Sequence, residues 1–213
     1  MRGPHNIIRL IRTGATMVRT GAMKVVLDAF DAPMPLRALA YTLGWPFQWL
    51  GYKGDPAMPP ATRALTALGP AYIKFGQVLS ARPDVVGEEM AQQLRVLQDQ
   101  LPPFSRDAAM AEVERELGRP LAEVFSEFSE PIAAASIAQV HRARLTETGE
   151  DVAVKVLRPG IERAFNKDVD AFYFAARIVD ICAPGARRLR PLEVIEHFDG
   201  VVQGELDLRL ESS

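Results

Sequence analysis

The sequence predicts an α+β protein, in which an antiparallel sheet with helices follows an α-helical N-terminal extension. Two observations predict this order. Apolar residues at helical spacing, broken by proline and glycine, occupy most of residues 6–117, and three short β-like runs follow within residues 124–157. Helical spacing then returns after residue 160. With 213 residues, 48% of them hydrophobic, the chain is long enough for one or two domains with buried cores.

The composition excludes several classes of protein. A charged fraction of 24% is ordinary for a globular chain, which argues against disorder. The single cysteine excludes an internal disulfide and a cysteine-rich zinc cluster. A net charge of −2 argues against a general nucleic-acid binder, so we expect no nucleic-acid partner.

Proline and glycine delimit the helical blocks. Ser105 is placed to cap one helix, and Gly118 follows its expected end. A bend is expected at Gly69, and residues 33–60 read as a proline-rich, aromatic linker. The helix positions that the spacing predicts are 6–30, 61–82, 83–98, 106–117, about 161–181, and 191 to the chain end. The strands are predicted at 124–128, 138–145 and 152–157, with a hairpin turn at 148–150.

The N-terminal region is basic and aromatic. Residues 1–37 carry six basic and two acidic groups, a composition that suits a helix on an anionic membrane or on a partner. It equally suits a helix packed on its own domain with a solvated basic face. Residues 38–52 are uncharged but shorter than the about 20 residues of a spanning helix, so we expect no transmembrane helix. The aromatic residues that suit a membrane interface, or a hydrophobic patch under a loop, are Tyr41, Trp45, Trp49 and Tyr52.

Lys155 ends the run V-A-V-K at residues 152–155. In the small lobe of protein kinases, the lysine of a V-A-I-K strand pairs nucleotide phosphates with a helix glutamate. A lysine that closes a β-strand is commonly just solvated. The match gains weight from its context, because a small-residue loop precedes it and a helix with carboxylates follows it.

The loop before this strand contains alanines where kinases carry glycines. Kinases use G-x-G-x-x-G so that the backbone can approach the phosphates. Here residues 131–141 read P-I-A-A-A-S-I-A-Q-V-H. Alanine keeps the loop small but disfavours positive φ, so we expect a stiffer loop that still permits nucleotide binding. His141, at the expected strand, is interpreted as structural and not catalytic.

Four motifs in order along the chain carry a resemblance to a known family. They are K-F-G-Q at 74–77, A-A-A-S-I-A-Q-V-H at 133–141, V-A-V-K at 152–155, and E-L-D at 205–207 followed by Glu211. The sequence resembles the UbiB/AarF family of atypical kinase-like proteins. The resemblance implies a protein-kinase-like small lobe at residues 121–213, preceded by a helical extension with the K-x-G-Q motif at 61–120 and by a basic, aromatic segment at 1–60.

The resemblance also implies the role of each motif residue. The residues implied to bind nucleotide are Ala133, Ala134, Ala135, Ser136, Lys155 and Glu211. The residues implied to form a regulatory motif in the cleft are Lys74, Gln77, Glu205 and Asp207. In the family pattern Lys155 would ion-pair with Glu211, and Lys74 would face the E-x-D carboxylates. Helical spacing separately places Lys74 and Gln77 on one face, and Asp207 and Glu211 on another.

The implied ligand is ATP or ADP with Mg²⁺, and the implied process is ubiquinone (isoprenoid quinone) biosynthesis. The implied partners are an isoprenoid or quinone lipid or a membrane surface, and other quinone-biosynthesis proteins, at the cytoplasmic side of the inner membrane. The sequence contains no segment like a kinase catalytic loop or the Asp-Phe-Gly metal motif. We therefore expect either the N-terminal part of a longer protein or a truncated gene product. It would be inactive alone, with no catalytic residue and no metal ligand of its own, and the metal ligands would lie on a C-terminal lobe.

Three interpretations compete. The first is the N-terminal part of a UbiB-like kinase or ATPase. The second is a non-catalytic module derived from that family, which binds lipid or a partner through residues 1–60. The third is the small lobe of an ordinary protein kinase, which the alanine loop and the K-x-G-Q motif disfavour.

Overall fold

The computed structural model describes residues 5–29, 32–99, 102–182 and 190–208. Its contacts divide the chain into two compact units: a helical unit of residues 1–98 with 164–213, and a sheet unit of residues 99–163. The boundaries predicted at residues 60 and 120 stay predictions. In the described ranges, no helix combines the length and apolar character needed to cross a bilayer.

The elements follow one another as helices, then a sheet, then helices. The helices are α1 His5–Thr20, α2 Ala22–Ala29, α3 Met34–Gly44, α4 Pro60–Leu68, α5 Pro70–Ser80, α6 Pro83–Val86, α7 Glu88–Leu94, α8 Arg106–Leu117, α9 Leu121–Val124, α10 Ile161–Cys182 and α11 Pro191–Leu206. The strands are β1 Phe125–Ala134, β2 Ala138–Leu145 and β3 Asp151–Leu157, and 3₁₀-helices cover Trp45–Leu50 and Arg95–Asp99.

Glycines divide two of the predicted helices more sharply than expected. Gly21 has a φ of 82° and separates α1 from α2, and Gly69 has a φ of 109° and separates α4 from α5. A positive φ interrupts the helical backbone, and glycine adopts it without a steric cost. The bend expected at Gly69 is therefore a break between two helices. The helix predicted over 83–98 is likewise divided into α6, α7 and the second 3₁₀-helix.

The linker predicted at residues 33–60 is wrong for its first half, which forms α3 and the first 3₁₀-helix. Pro33, in extended conformation, precedes α3, and a further proline lies in the first turn of that helix. The first helical turn has no partner for its N–H groups, so a proline there removes no hydrogen bond. Proline-rich sequence therefore marks the start of a helix here.

Aromatic rings form the core where α5, α10 and α11 of the helical unit meet. Tyr72 and Phe75 of α5 lie 4.8 and 5.0 Å from the ring centroid of Phe172 on α10. Phe75 also lies 5.1 Å from Phe198 on α11. The Tyr72 hydroxyl shares a 2.7 Å hydrogen bond with the Thr13 hydroxyl of α1, and burial raises the pKa of Tyr72. These contacts join the two distant stretches of sequence into one unit.

The sheet unit is an antiparallel sheet in the order β1-β2-β3, with α8 against one face. Ala109 and Val113 of α8 pack in a hydrophobic core with Phe128, Ala143 and Val156 of the strands. The predicted capping of α8 is confirmed, since the Ser105 hydroxyl accepts a hydrogen bond from the Ala108 amide and Gly118 is left-handed.

The predicted strands are confirmed in number, order and approximate position. β2 has the predicted bounds, and β3 begins one residue early. β1 extends to Ala134, well beyond the predicted end at residue 128, because Ala133 pairs with Val140 and Ala134 with Gln139. The first two alanines of the expected loop are therefore strand residues, and only residues 135–137 connect β1 to β2.

Candidate functional site

One row of side chains crosses the sheet beside the connection between β1 and β2. Lys155 on β3 pairs with Val140 on β2, and Val140 pairs with Ala133 on β1. Residues directly opposite each other in an antiparallel pair project from the same face. The next row contains Gln139 and the buried Val156, which packs in the core with α8. Lys155 therefore lies on the face opposite α8, where both it and Ala133 are exposed.

The connection at residues 135–137 is closed by backbone hydrogen bonds. The Ala135 amide donates to the Ala138 carbonyl at 2.7 Å, and the Arg158 amide donates to the Ile137 carbonyl at 2.8 Å. Ile137 is buried, Ser136 is half-buried and Ala135 is exposed. The connection is therefore short and constrained, with its small side chains toward solvent.

Gln139 supports this region from the buried face of β2. Its Oε1 accepts a hydrogen bond from the Phe104 amide at 3.0 Å, and its Nε2 donates to the Phe104 carbonyl at 3.2 Å. The same Nε2 donates to His141 Nε2 at 2.8 Å. Gln139 is 1% exposed, so one buried amide joins the segment before α8 to the middle strand.

His141 completes the buried network. Its Nδ1 lies 2.8 Å from the Ser129 carbonyl, which only accepts, so this nitrogen carries the proton. Its Nε2 then accepts from Gln139, and the ring stacks on Phe128 with 4.5 Å between centroids. Both imidazole nitrogens are engaged in a fully buried place, which supports the structural interpretation of His141.

Arg158 follows β3 and packs against the same segment. Its Nη2 donates to the Pro102 carbonyl at 3.0 Å, and its guanidinium lies 5.3 Å from the Phe104 ring centroid. Burial lowers the pKa of this arginine from its ordinary value. Neither Gln139 nor Arg158 is predicted from the sequence to be a site residue. The sequence did contain a signal for Gln139. It lies two residues from His141, so the two side chains project from the same face of the strand.

Lys74 and Glu205 form an ion pair in the helical unit, between α5 and α11. The Lys74 side chain is 15% exposed and that of Glu205 is 38% exposed, so the pair is partly withdrawn from water. The structure thus brings together the K-x-G-Q lysine and the E-x-D glutamate. Their proposed regulatory role stays a prediction.

The expectation for the end of α11 is wrong in one respect. The last helix does not continue through Asp207, which follows Leu206 as a C-cap residue with non-helical angles. Asp207 therefore does not lie on a helical face of α11. Glu211 lies outside the described residues, and so does its expected ion pair with Lys155.

The other two motif residues of α5 have packing roles. Gln77 Nε2 donates to the Leu97 carbonyl at 2.8 Å and so joins α5 to the second 3₁₀-helix. At Gly76 an added Cβ would overlap Leu97 Cδ1 and would lie 2.7 Å from Leu65 Cδ1. The glycine of K-x-G-Q is thus the residue that lets these buried leucines approach the helix backbone.

A lysine-bearing antiparallel sheet, joined in one chain to a helical extension with its own lysine–glutamate pair, is the architecture expected of an atypical kinase-like protein. The chain matches the ABC1 atypical kinase-like domain over residues 96–213, more than half of its length, and it belongs to this family. The fold class predicted from the sequence is confirmed, since the α+β structure is consistent with a kinase-like small lobe.

Curated relatives in this family carry the name "Probable protein kinase UbiB". The chain is 41% identical to the protein from Azotobacter vinelandii over 209 residues, which cover 96% of this chain and 38% of that relative. It is 38% identical to the Pseudomonas aeruginosa protein over 208 residues, with the same shares of 96% and 38%. It is 44% identical to the Marinobacter nauticus protein over 151 residues, 70% of this chain and 27% of that one. The chain thus spans 38% or less of the length of these relatives, and its UbiB-like character is confirmed.

Proposed function

We propose that the sheet unit binds an adenine nucleotide, ATP or ADP, on the face that carries Lys155. The observation that carries this proposal is the cross-strand row of Ala133, Val140 and Lys155 beside the short connection at residues 135–137. An ammonium group next to exposed, small-residue backbone has the donor chemistry that a phosphate chain requires. The residues therefore fit the phosphates of a nucleotide.

The alanines give this site a different character from a glycine-rich loop. Ala133 and Ala134 are held in strand conformation by their partners on β2, and the connection is closed by its own hydrogen bonds. Such a loop loses little conformational freedom when a ligand binds, but it also adapts less to the phosphates. We propose that it holds the nucleotide in one geometry, with Ser136 as a further donor.

Mg²⁺ would accompany the nucleotide, but these residues do not fit a metal site. Among the residues that the structure describes, no group of three or more histidine, cysteine, aspartate or glutamate side chains could hold a metal ion. We therefore propose no metal ligand and no chemical step among the described residues.

The cellular role is proposed from the relatives and concerns the longer protein that they represent. Their name, UbiB, supports a role in the biosynthesis of ubiquinone or another isoprenoid quinone. We propose that this protein acts at the cytoplasmic side of the inner membrane, with a quinone-type lipid and other biosynthetic proteins as partners. In this proposal Lys74, Gln77, Glu205 and Asp207 regulate the use of the nucleotide.

The test of nucleotide binding is a thermal-shift measurement with ATP or ADP and Mg²⁺. Lys155→Ala is expected to abolish the stabilisation that nucleotide gives the 213-residue chain, because the ammonium partner of the phosphates is removed. The matched control is Lys167→Ala, an exposed lysine on α10. It is expected to retain the full shift. Equal shifts in wild type and Lys155→Ala would remove Lys155 from the site.

The second candidate function is a non-catalytic module that binds lipid or a partner. The exposed tryptophans of the N-terminal region favour it, because large apolar side chains in water mark interaction surfaces. Strong binding of vesicles without any nucleotide-induced stabilisation would select this function.

A further inference from the structure

The outward side of α3 is apolar. Met34 is 76% exposed, Tyr41 is 41% exposed, and Trp45, the C-cap residue, is 73% exposed. At 100° per residue these three positions fall within about 40° of one another around the helix. Ala38, between them in sequence, is also exposed. A helix of a water-soluble protein ordinarily turns charged residues to this side.

The apolar surface continues into the following 3₁₀-helix. Trp49 is 74% exposed, and Tyr52, two residues after the end of this 3₁₀-helix, is 44% exposed. We call Met34, Tyr41, Trp45, Trp49 and Tyr52 together the aromatic face. Tryptophan and tyrosine concentrate at membrane–water interfaces, because each combines an apolar ring with a polar group.

The backbone beneath the aromatic face is fixed to α1. Arg19 donates to the Gly51 carbonyl at 2.8 Å and to the Gln48 carbonyl at 3.3 Å, and the Tyr52 amide donates to the Thr16 hydroxyl at 3.0 Å. A Cβ on Gly51 would lie 2.6 Å from the backbone of Ala15, so only glycine permits this approach. The rings are thus exposed on an ordered support.

Basic residues outnumber acidic ones in the sequence around the aromatic face. Residues 5–27 and 32–54 contain no acidic residue. Exposed Arg12 lies over the Tyr52 ring at 5.6 Å and donates to its hydroxyl, and Lys53 is the next residue and exposed. The acidic residues nearest in the described sequence are Asp28, which pairs with Arg37, and Asp55, which accepts from the Ala57 amide.

We propose that the aromatic face lies in the interfacial layer of a membrane that contains anionic phospholipid, with Arg12 and Lys53 against the lipid phosphates. The observations favour a bilayer as the occupant. Exposed tryptophan and tyrosine rings accompanied by the basic residues Arg12 and Lys53 combine the two features that bind an anionic bilayer surface. The inference deepens the membrane part of the proposed function and does not depend on nucleotide binding.

The test uses the fact that the chain contains two tryptophans, both in the aromatic face. Tryptophan fluorescence of the whole chain therefore reports on this surface alone. Vesicles of phosphatidylethanolamine with phosphatidylglycerol are expected to shift the emission to the blue, and bromine-labelled lipid is expected to quench it. Vesicles of phosphatidylcholine alone are expected to bind much more weakly.

Variants separate the contributions of rings and charges. Trp45→Ala with Trp49→Ala is expected to weaken co-sedimentation with anionic vesicles by about tenfold, because apolar area is lost from the interface. Arg12→Gln and Lys53→Gln are each expected to weaken it by about fivefold, and only on anionic vesicles. The matched control is Ile181→Ala, which removes an equally exposed apolar side chain from α10 and is expected to bind as wild type does.

Each outcome decides between the proposals. If wild type binds anionic vesicles without a fluorescence shift, or if the double tryptophan variant binds equally well, the aromatic face is not the contact and only this inference fails. If wild type binds no vesicle, both this inference and membrane association of the chain fail, while the nucleotide test is unaffected. A fluorescence shift that follows protein concentration without lipid would assign the face to a second copy of the chain and overturn the inference.

Discussion

Gln139 joins two parts of the sheet unit through a single buried amide. It satisfies both backbone groups of Phe104 and also fixes the acceptor state of His141 Nε2. A buried polar group that loses its partner costs free energy, because neither water nor another side chain replaces the hydrogen bond. The residue therefore contributes to stability out of proportion to its size.

Gln139→Leu is expected to lower the free energy of unfolding by about 3 kcal/mol, since Phe104 and His141 lose hydrogen-bond partners in a place closed to water. Urea unfolding of the 213-residue chain measures the change. Gln92→Leu is the matched control, because Gln92 is exposed on α7. This variant is expected to lower the free energy of unfolding by about 0.5 kcal/mol or less. Similar losses of unfolding free energy in the two variants would contradict the stabilising role of the Gln139 hydrogen bonds.

At the scale of elements, the close packing of α5 depends on Gly76, which has no side chain. Leu65 and Leu97 occupy the space that a Cβ of Gly76 would need, and Gln77 bonds to the backbone at Leu97. The K-x-G-Q string therefore combines one ion-pairing residue with two packing residues. Its spacing predicted that Lys74 and Gln77 share a helical face, but not that Gln77 would bond to a neighbouring backbone carbonyl.

Gly76→Ala is expected to lower the free energy of unfolding by about 1 kcal/mol. Overpacking against buried leucines costs about 1–3 kcal/mol, and the better helix propensity of alanine offsets part of it. Gly200→Ala is the control, and its expected change in stability has the opposite sign, because an added Cβ on α11 meets nothing within 4 Å. That variant is expected to gain about 0.5–1 kcal/mol. Thermal and urea unfolding compare the two, and a gain in both would show that α5 has room for a methyl group.

The elements that sequence predicted best are those with strong local signals. The cap at Ser105, the left-handed Gly118 and the bounds of β2 follow from side-chain chemistry and alternation within a few residues. The errors arise where contacts between residues that are distant in the sequence determine the local structure. β1 extends because its last residues find partners on β2. The first half of the supposed linker is helical, and α1 holds the end of that stretch in place.

In the candidate site, too, local motifs predicted some residues, whereas others depend on contacts that are distant in the sequence. The motifs identified Lys155 and its alanine loop, and pairing across the sheet places them on one face. The roles of Gln139 and Arg158 depend on Phe104 and Pro102, which are distant in sequence and carry no pattern that marks them as partners. Hydrophobic periodicity also could not predict that α3 turns its apolar side to solvent, because the same pattern ordinarily indicates burial.

At the scale of the whole molecule, the helical unit is assembled from two stretches that are separated in sequence by the sheet unit. The aromatic cluster of α5, α10 and α11 is one connection between these stretches. Two ion pairs add to it: Arg9 with Asp168, and Lys74 with Glu205. Lys74 and Glu205 are 131 positions apart in the sequence, so this pair is a long-range contact that helps to close the unit.

A double-mutant cycle on Lys74→Met and Glu205→Gln is expected to give a coupling of about 1 kcal/mol, because the pair is partly withdrawn from solvent. Methionine retains the apolar stem of the lysine, so the cycle measures the charge interaction and not the loss of packing. Urea unfolding at low and high salt is the measurement, and the coupling is expected to shrink only slightly with salt. The exposed pair Arg82 and Asp84 serves as a comparison whose coupling should be small and strongly screened. Equal salt dependence in the two pairs would show that Lys74 and Glu205 are an ordinary surface pair, and the proposed regulatory role would then lose its structural basis.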